Sequence, residues 1–328
     1  MRFMLCALAL AASYRVAALD AASLGVVINT ADADSVAVGE YYVARRGIPA
    51  PNVVRVSFPV DAAMSPEDFA RASAEVTRRM PGGVQGLALA WTRPYRVGCM
   101  STTAAFAHGY EPRNCATGCR PTPLSAYFDR DVKLPFSELN MRPAMQLAGS
   151  SVRAAKATID AGVAAGRAPL RGTAYLMRTD EAARNVRAVG YPATLRLQRA
   201  GLEIVIRDMN ALFDAHDVLF YFTGRARVEG LETLRFRPGA IADHLTSNGG
   251  MLTDSPQMSS LAWLDAGATA SYGTVVEPCS FAQKFPQPAI VMRRYLDGET
   301  LLEAYWKSVA MPSQGIFIGE PLARIAPR

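Results

Sequence analysis

Only three histidines occur in the 328 residues, His108, His216 and His244, so any imidazole base must be one of them. A thiolate activated by such an imidazole would be a nucleophile for acyl transfer, and Cys279 follows an expected strand end. A second chemistry needs only carboxylates: Asp254 and Glu277 could share general acid and base roles. A third is binding without turnover, in which Arg225, Asp254, Ser255 and Glu277 present a guanidinium, two carboxylates and a hydroxyl to a ligand. Structural ion pairs imitate such sites, and Arg225 paired with Asp254 or Glu277 is the structural alternative. His216, between Asp214 and Asp217, reads as a loop residue. Ser271 in Thr269-Ala270-Ser271-Tyr272-Gly273 approaches a nucleophile elbow but lacks its first glycine and falls inside a strand pattern.

The cysteines bear on which chemistry is open. The first eighteen residues carry Arg2, an apolar run from Phe3 to Ala12 and Val16-Ala17-Ala18, the pattern of an export signal cleaved before Leu19. Removing it discards Cys6 and leaves Cys99, Cys115, Cys119 and Cys279. An even set of four in an oxidising compartment predicts two disulfides, with three connectivities open. The competing reading is a zinc site of Cys99, Cys115 and Cys119 with His108, whose spacing is permissible but unspecific; the compartment favours disulfides, so no metal is assigned. No glycine-rich dinucleotide loop, phosphate-binding lysine motif or zinc-protease motif occurs, so no cofactor is indicated. With 35 Lys and Arg against 29 Asp and Glu the net charge is +6, but the basic residues are scattered, which argues against nucleic acid. No stretch beyond the signal is long and apolar enough to span a membrane.

Positioning such residues requires strands that end on a common rim. Residues 24–29 form a continuous apolar run of the kind buried on both faces of a parallel sheet. Asp34 and Ser35 then offer caps for a helix stopped by Arg45, Arg46, Gly47 and Pro49. Strand 52–58, helix 65–80 and strand 84–91 continue the alternation, which predicts crossovers and a parallel sheet covered by helices on both faces. Periodicity lapses over about 92–145, an irregular insertion holding three of the cysteines. It resumes with helix 151–165, strand 172–178, helix 191–201 and strands 202–207 and 218–223, the last the most strand-like run and expected to be central. Pro238-Gly239 opens a helix over 240–247, 250–253 is a short strand, 259–266 a helix and 268–276 a strand. Helix 301–309 and a closing strand or turn over 315–322 end the chain. The expectation is a single α/β domain over 19–328. Ligands in open parallel sheets collect beyond the carboxyl ends of the strands, which is where Arg225, Asp254, Ser255 and Glu277 fall.

Several segments in order carry a resemblance: Asp34 through Ala44-Arg45-Arg46-Gly47-Ile48-Pro49, Ala90-Trp91-Thr92-Arg93-Pro94-Tyr95-Arg96, Pro238 through Ser247, Gly267-Ala268-Thr269 to Val276-Glu277-Pro278, and Gly319-Glu320-Pro321-Leu322. Together they resemble an uncharacterised family of exported bacterial proteins. More distantly the layout is similar to the gingipain-type cysteine peptidases of the caspase-haemoglobinase-like fold. That resemblance implies one strand ending in His-Gly and the next ending at a nucleophilic cysteine. Placed on this chain, strand 218–223 ends in Gly224-Arg225 and strand 250–253 in Asp254-Ser255, so neither member of the dyad stands in its place. The expected function is a catalytically degenerate, periplasmic or extracellular module that binds a small molecule, a peptide or an envelope component. The alternative is a hydrolase using a displaced His244 and Cys279 or the Asp254 and Glu277 pair.

Overall fold

A computed structural model describes residues 19–116 and 118–325; the export signal proposed over residues 1–18 lies outside them. In chain order the elements begin with β1 (Leu24–Asn29), α1 (Ala33–Arg46), β2 (Val53–Val56), β3 (Ala63–Met64), α2 (Pro66–Arg79) and β4 (Gly86–Leu89). Then come β5 (Arg96–Val97), β6 (Met100–Ser101), α3 (Thr102–His108), α4 (Pro135–Leu139), β7 (Ala144–Gln146) and α5 (Val152–Ala164). The latter half holds β8 (Gly172–Arg178), β9 (Leu202–Asp208), β10 (Val218–Thr223), β11 (Phe236–His244), α6 (Leu261–Asp265) and β12 (Ala270–Thr274). It closes with α7 (Pro288–Leu296), α8 (Leu301–Ser308) and β13 (Gly315–Gly319).

Ten strands make one sheet in the order β2-β1-β4-β7-β13-β12-β11-β10-β8-β9. Every neighbouring pair is parallel except β12 with β13. The β12–β13 junction divides the sheet into two parallel blocks, and loops from the carboxyl ends of both meet on one side: Asp254, after β11, accepts the Tyr95 hydroxyl, after β4. Helices cover both faces, as the alternation of side chains across a strand requires. Leu24, Val26 and Ile28 of β1 pack with Val38, Tyr42 and Ile159 of α1 and α5. Val27 faces the other way, toward Phe69, Ala72 and Val76 of α2.

Local chemistry sets the element ends. Asp32 accepts the Asp34 amide at 3.0 Å and caps α1, and Gly47 takes a left-handed φ of 64° to end it; the cap is two residues earlier than Asp34. Ser65 and Ser151 cap α2 and α5 in the same way. The segment 92–145 holds the hairpin β5–β6, which joins β3 in a small three-stranded sheet, and α3, which packs on β7 and β13.

Three expectations need correction. Residues 240–247 are not a helix: β11 runs from Phe236 to His244, between β10 and β12. Its Ala240-Ile241-Ala242 stretch is buried on both faces, and a short run of that kind cannot be assigned to strand or helix by periodicity alone. Residues 250–253 are not a strand but part of a loop lying against β12. Cβ atoms added at Gly250 and Gly273 would stand 2.6 Å from the Gly273 carbonyl oxygen and 2.4 Å from the Gly250 nitrogen, so this approach of two backbones requires glycine on both sides. The helix expected over 191–201 is a 3-10 segment, Val186–Arg196, with Pro192 inside it, where an α-helical amide bond cannot form. The middle of the sheet is occupied by β13, expected only as a closing strand or turn; β10 lies between β11 and β8.

Candidate functional site

Each parallel block has a place where the chain, having gone outward from its first strand, returns to build on the other side. In the first block it lies between β1 and β4, in the second between β8 and β10. Such a switch point leaves a crevice at the carboxyl ends where adjacent loops diverge. The two crevices differ.

In the second block the crevice is closed. Arg225, following β10, pairs with Asp180 at 2.8 Å and Glu181 at 3.1 Å, both following β8. Thr179 donates its hydroxyl to the Gly224 carbonyl at 2.7 Å. A Cβ on Gly224 would lie 2.0 Å from the Arg184 carbonyl oxygen, so the turn carrying Arg184 sits directly on the strand end. Arg184 donates to Thr246 at 3.0 Å. Below these contacts Arg187 forms a buried ion pair with Asp243, the next-to-last residue of β11, with side chains 2% and 1% exposed. Arg187 also donates to the carbonyls of Thr223 and Asp243 at 3.0 and 3.1 Å, binding the two strand ends together. Burial pushes the Asp243 carboxyl up, while the facing Arg187 pulls it down.

His244 ends β11 fully inside this layer. Its Nε2 lies 3.0 Å from the Met258 carbonyl and its Nδ1 accepts the Trp263 indole N–H at 2.9 Å. A carbonyl can only accept and an indole N–H can only donate, so the ring is the neutral Nε2–H tautomer with its lone pair engaged. Burial lowers its pKa to about 4. Cys279 is bonded to Cys119, and Cys99 to Cys115, one of the three connectivities open to the sequence. A thiol at Cys279 activated by His244 is therefore contradicted twice: the sulfur is in a disulfide and the base has no free lone pair.

The four residues nominated for binding have separate partners. Arg225 is held by Asp180 and Glu181, not by Asp254 or Glu277. Asp254 accepts the Tyr95 hydroxyl at 2.5 Å, from the first half of the chain. Ser255 donates to the Asn248 carbonyl at 2.8 Å, and Glu277 accepts the Cys279 amide at 2.7 Å. The strand following β10 in the chain is β11, which ends at Asp243-His244, so Asp254-Ser255 does not end a strand. His108 is also shielded, and burial lowers its pKa to about 4; His216 is an exposed loop residue.

In the first block the crevice is open. A cleft of about 180 Å³ is bounded by Asp32, Asp34 and Ser35 after β1, Trp91, Thr92 and Arg93 after β4, and the turn Gly149-Ser150-Ser151 after β7. Thr253, from the loop following β11, also reaches it. The rim is shaped by its own hydrogen bonds: Thr92 donates to the Gly149 carbonyl at 3.0 Å and accepts the Gly149 amide at 3.1 Å. Trp91 is buried and donates to the Pro94 carbonyl at 3.0 Å, so it forms the floor. Arg93 and Asp34 are exposed. Sequence reasoning missed this place by reading Asp34 only as a helix cap, although the rule about strand ends applies equally to the first three strands. Among the described residues no cluster of His, Cys, Asp and Glu is arranged to hold a metal ion, and no helix is long and apolar enough to cross a membrane.

Comparison with known proteins places this architecture. No family model and no curated protein matches the chain. Among solved structures it is similar to the Arg-specific cysteine proteinase gingipain R (RgpB), with a TM-score of 0.56 and 10% identity over 92% of this chain and 78% of that one. The complex of the pro- and mature domains of RgpB from Porphyromonas gingivalis gives 0.53 and 11% over 92% and 79%. A structure described as a protease gives 0.53 and 8% over 93% and 78%. At these identities the likeness is one of fold: a mixed α/β structure with a large, mostly parallel sheet flanked by helices, as in the caspase-like gingipains.

Proposed function

We propose that this chain is an exported binding module on a caspase-like scaffold from which peptidase chemistry has been lost. The observation that carries the reading is the closed second rim. The two strand ends where a Cys-His dyad would stand hold Gly224-Arg225 and Asp243-His244, and they are tied together by Arg187 rather than opened to a substrate. Two disulfides support export, since such bonds persist in oxidising compartments. The acid-base alternative draws no support from the geometry, because Asp254 and Glu277 make no contact with a common partner. The ligand seat in this reading is the open first rim, where Arg93 and Asp34 offer charges of both signs and Ser150 and Ser151 offer small polar groups to a small polar molecule.

Thiol counting on the denatured, unreduced mature protein tests the loss of chemistry. The expected result is no free thiol and no turnover of fluorogenic peptides. A free Cys279 with thiol-dependent cleavage would overturn it. For the seat, thermal-shift screening against small carboxylic acids and sugars should return a stabilising compound whose effect disappears in Arg93→Ala. A compound whose effect survives Arg93→Ala but not Arg225→Ala would move the seat to the second rim.

A further inference from the structure

The outermost strand of the second block, β9, is an open sheet edge with a self-complementary sequence. It pairs with β8 in unbroken register from Gly172–Leu202 to Arg178–Asp208 and, among the described residues, with no strand on its other side. The Gly201 carbonyl and the Met209 amide both bond to the β8 side, at 3.0 and 3.1 Å. The N–H and C=O of one strand residue point the same way and alternate along the chain, so the odd-numbered residues of β9 face β8. The amides and carbonyls of Ile204 and Ile206 therefore face outward. Edges of this kind template the pairing of another strand unless they are shortened, bulged, blocked by proline, charged or covered; β9 has seven residues, no bulge and no proline, and its charges, Glu203, Arg207 and Asp208, are of both signs.

The side chains define which strand fits. Ile204 and Ile206 pack inward against the core, whereas Glu203 and Arg207 are exposed on the opposite face with Val205 half-buried between them. Glu203 and Arg207 are equidistant from Val205. In an antiparallel pairing of two copies about a two-fold axis at Val205, Glu203 of each copy stands opposite Arg207 of the other. Ile204 stands opposite Ile206. The same register makes Ile204 and Ile206 the hydrogen-bonded pair, as their outward amides require, and puts Glu203 and Arg207 in the non-hydrogen-bonded position where side chains approach most closely. Moving the axis to residue 204 or 206 places a charge opposite Val205 instead. Backbone polarity and charge thus select one register. Alongside the edge lie exposed apolar groups, Leu195 at 48% and Val189 at 87%, on the 3-10 segment that packs under β9. Leu195 lines a groove with Leu202 and Ile204.

We propose that β9 is a homodimerisation edge, at which two copies join antiparallel about Val205 into one continuous sheet. The partner is a second copy of this chain, and an unrelated strand would lack the matching charges. Sedimentation of the mature protein should show a dimer. Glu203→Arg alone and Arg207→Glu alone each set like charges opposite one another twice, and each should weaken self-association by about a hundredfold. Mixing the two single variants restores both pairs and should give a heterodimer, and the double variant Glu203→Arg/Arg207→Glu should dimerise by itself. Both positions are exposed, so circular dichroism should be unchanged. A monomeric wild-type protein, dimeric single variants, or an equimolar mixture that stays monomeric would each overturn the proposal.

Discussion

At the switch point of the first block, Arg93 and Asp34 stand exposed beside a cleft, whereas at that of the second the arginine after the strand is clamped by two carboxylates and roofed by a 3-10 turn. The two blocks use the same construction, in which a chain goes outward, returns and leaves a crevice at its strand ends. What differs is whether neighbouring loops fill that crevice. One construction can thus be filled by its own side chains at one place and left open at another. Energetically, interactions in the closed rim should hold the fold together, while those at the open rim should contribute little to stability.

The sharpest break of that contrast is Arg187→Ala. It leaves Asp243 buried and unpaired and deprives the Thr223 and Asp243 carbonyls of their donor. Removing one partner of a buried pair costs about 3–5 kcal/mol, so the denaturant midpoint should fall by that equivalent with little change in slope. A loss below about 1 kcal/mol would mean that the rim is not closed as described.

Acid probes the same layer without mutation. His244 is neutral in the fold with its pKa lowered to about 4, against 6.5 for an ordinary histidine. The unfolded chain therefore takes up a proton first as pH falls. Stability from burying the neutral ring is complete above pH 6.5, declines as pH drops toward 4, and changes no further below that. The shift corresponds to about 3 kcal/mol. His108 is lowered in the same direction and adds to the slope in the same window. Urea melts across pH 4 to 7 should show this decline, and His244→Gln should flatten part of it; an unchanged slope in the variant would place the proton uptake elsewhere.

Much of the fold was legible because it rests on local signals. β8 and β10 are continuous runs whose observed bounds match the expected ones, and α1 stops at Gly47, as the arginines, glycine and proline indicate. β11 was not legible because Pro238-Gly239 is equally a helix opener, and only burial between β10 and β12 decides for strand. The position of β13 was hidden for another reason: where a strand inserts depends on which edge is free after the rest has assembled. The partners of Arg225 were hidden too. Asp180 and Glu181 are more than forty residues away in sequence, across a helix-like segment, whereas Asp254 and Glu277 looked closer along the expected strand order. The ends of β8 and β10 are neighbours because the chain adds β9 outside β8 and returns to place β10 on its other side, and the pairing follows.

Gly224→Ala tests how tightly the roof lies on the rim. The added methyl would meet the Arg184 carbonyl 2.0 Å away, which forces the turn to lift, and overpacking of this kind costs about 1–3 kcal/mol. The Arg184 to Thr246 bond should loosen with it, seen as faster amide exchange over residues 182–188. Gly149→Ala, by contrast, would meet the Ala155 amide nitrogen at 2.5 Å, so it is unsuitable as an open-rim control.

The proper control compares the two arginines. Arg225→Ala removes an ion pair whose arginine is 21% exposed and whose partners are 70% and 24% exposed. Water compensates most of that loss, so the cost should stay within about 1 kcal/mol. Arg93→Ala removes an exposed side chain from an open cleft and should change stability by less than about 0.5 kcal/mol. The two therefore differ little in stability, but they differ in what they expose. Losing Arg225 leaves Asp180 and Glu181 as an acidic pair with only Arg184, on Glu181, to neutralise it, and its melting temperature should recover on adding salt. Losing Arg93 leaves no such pair, and its melting temperature should follow the wild type at every salt concentration. If both variants respond to salt alike, the two rims are not opposites, and the division between a structural rim and a binding rim fails.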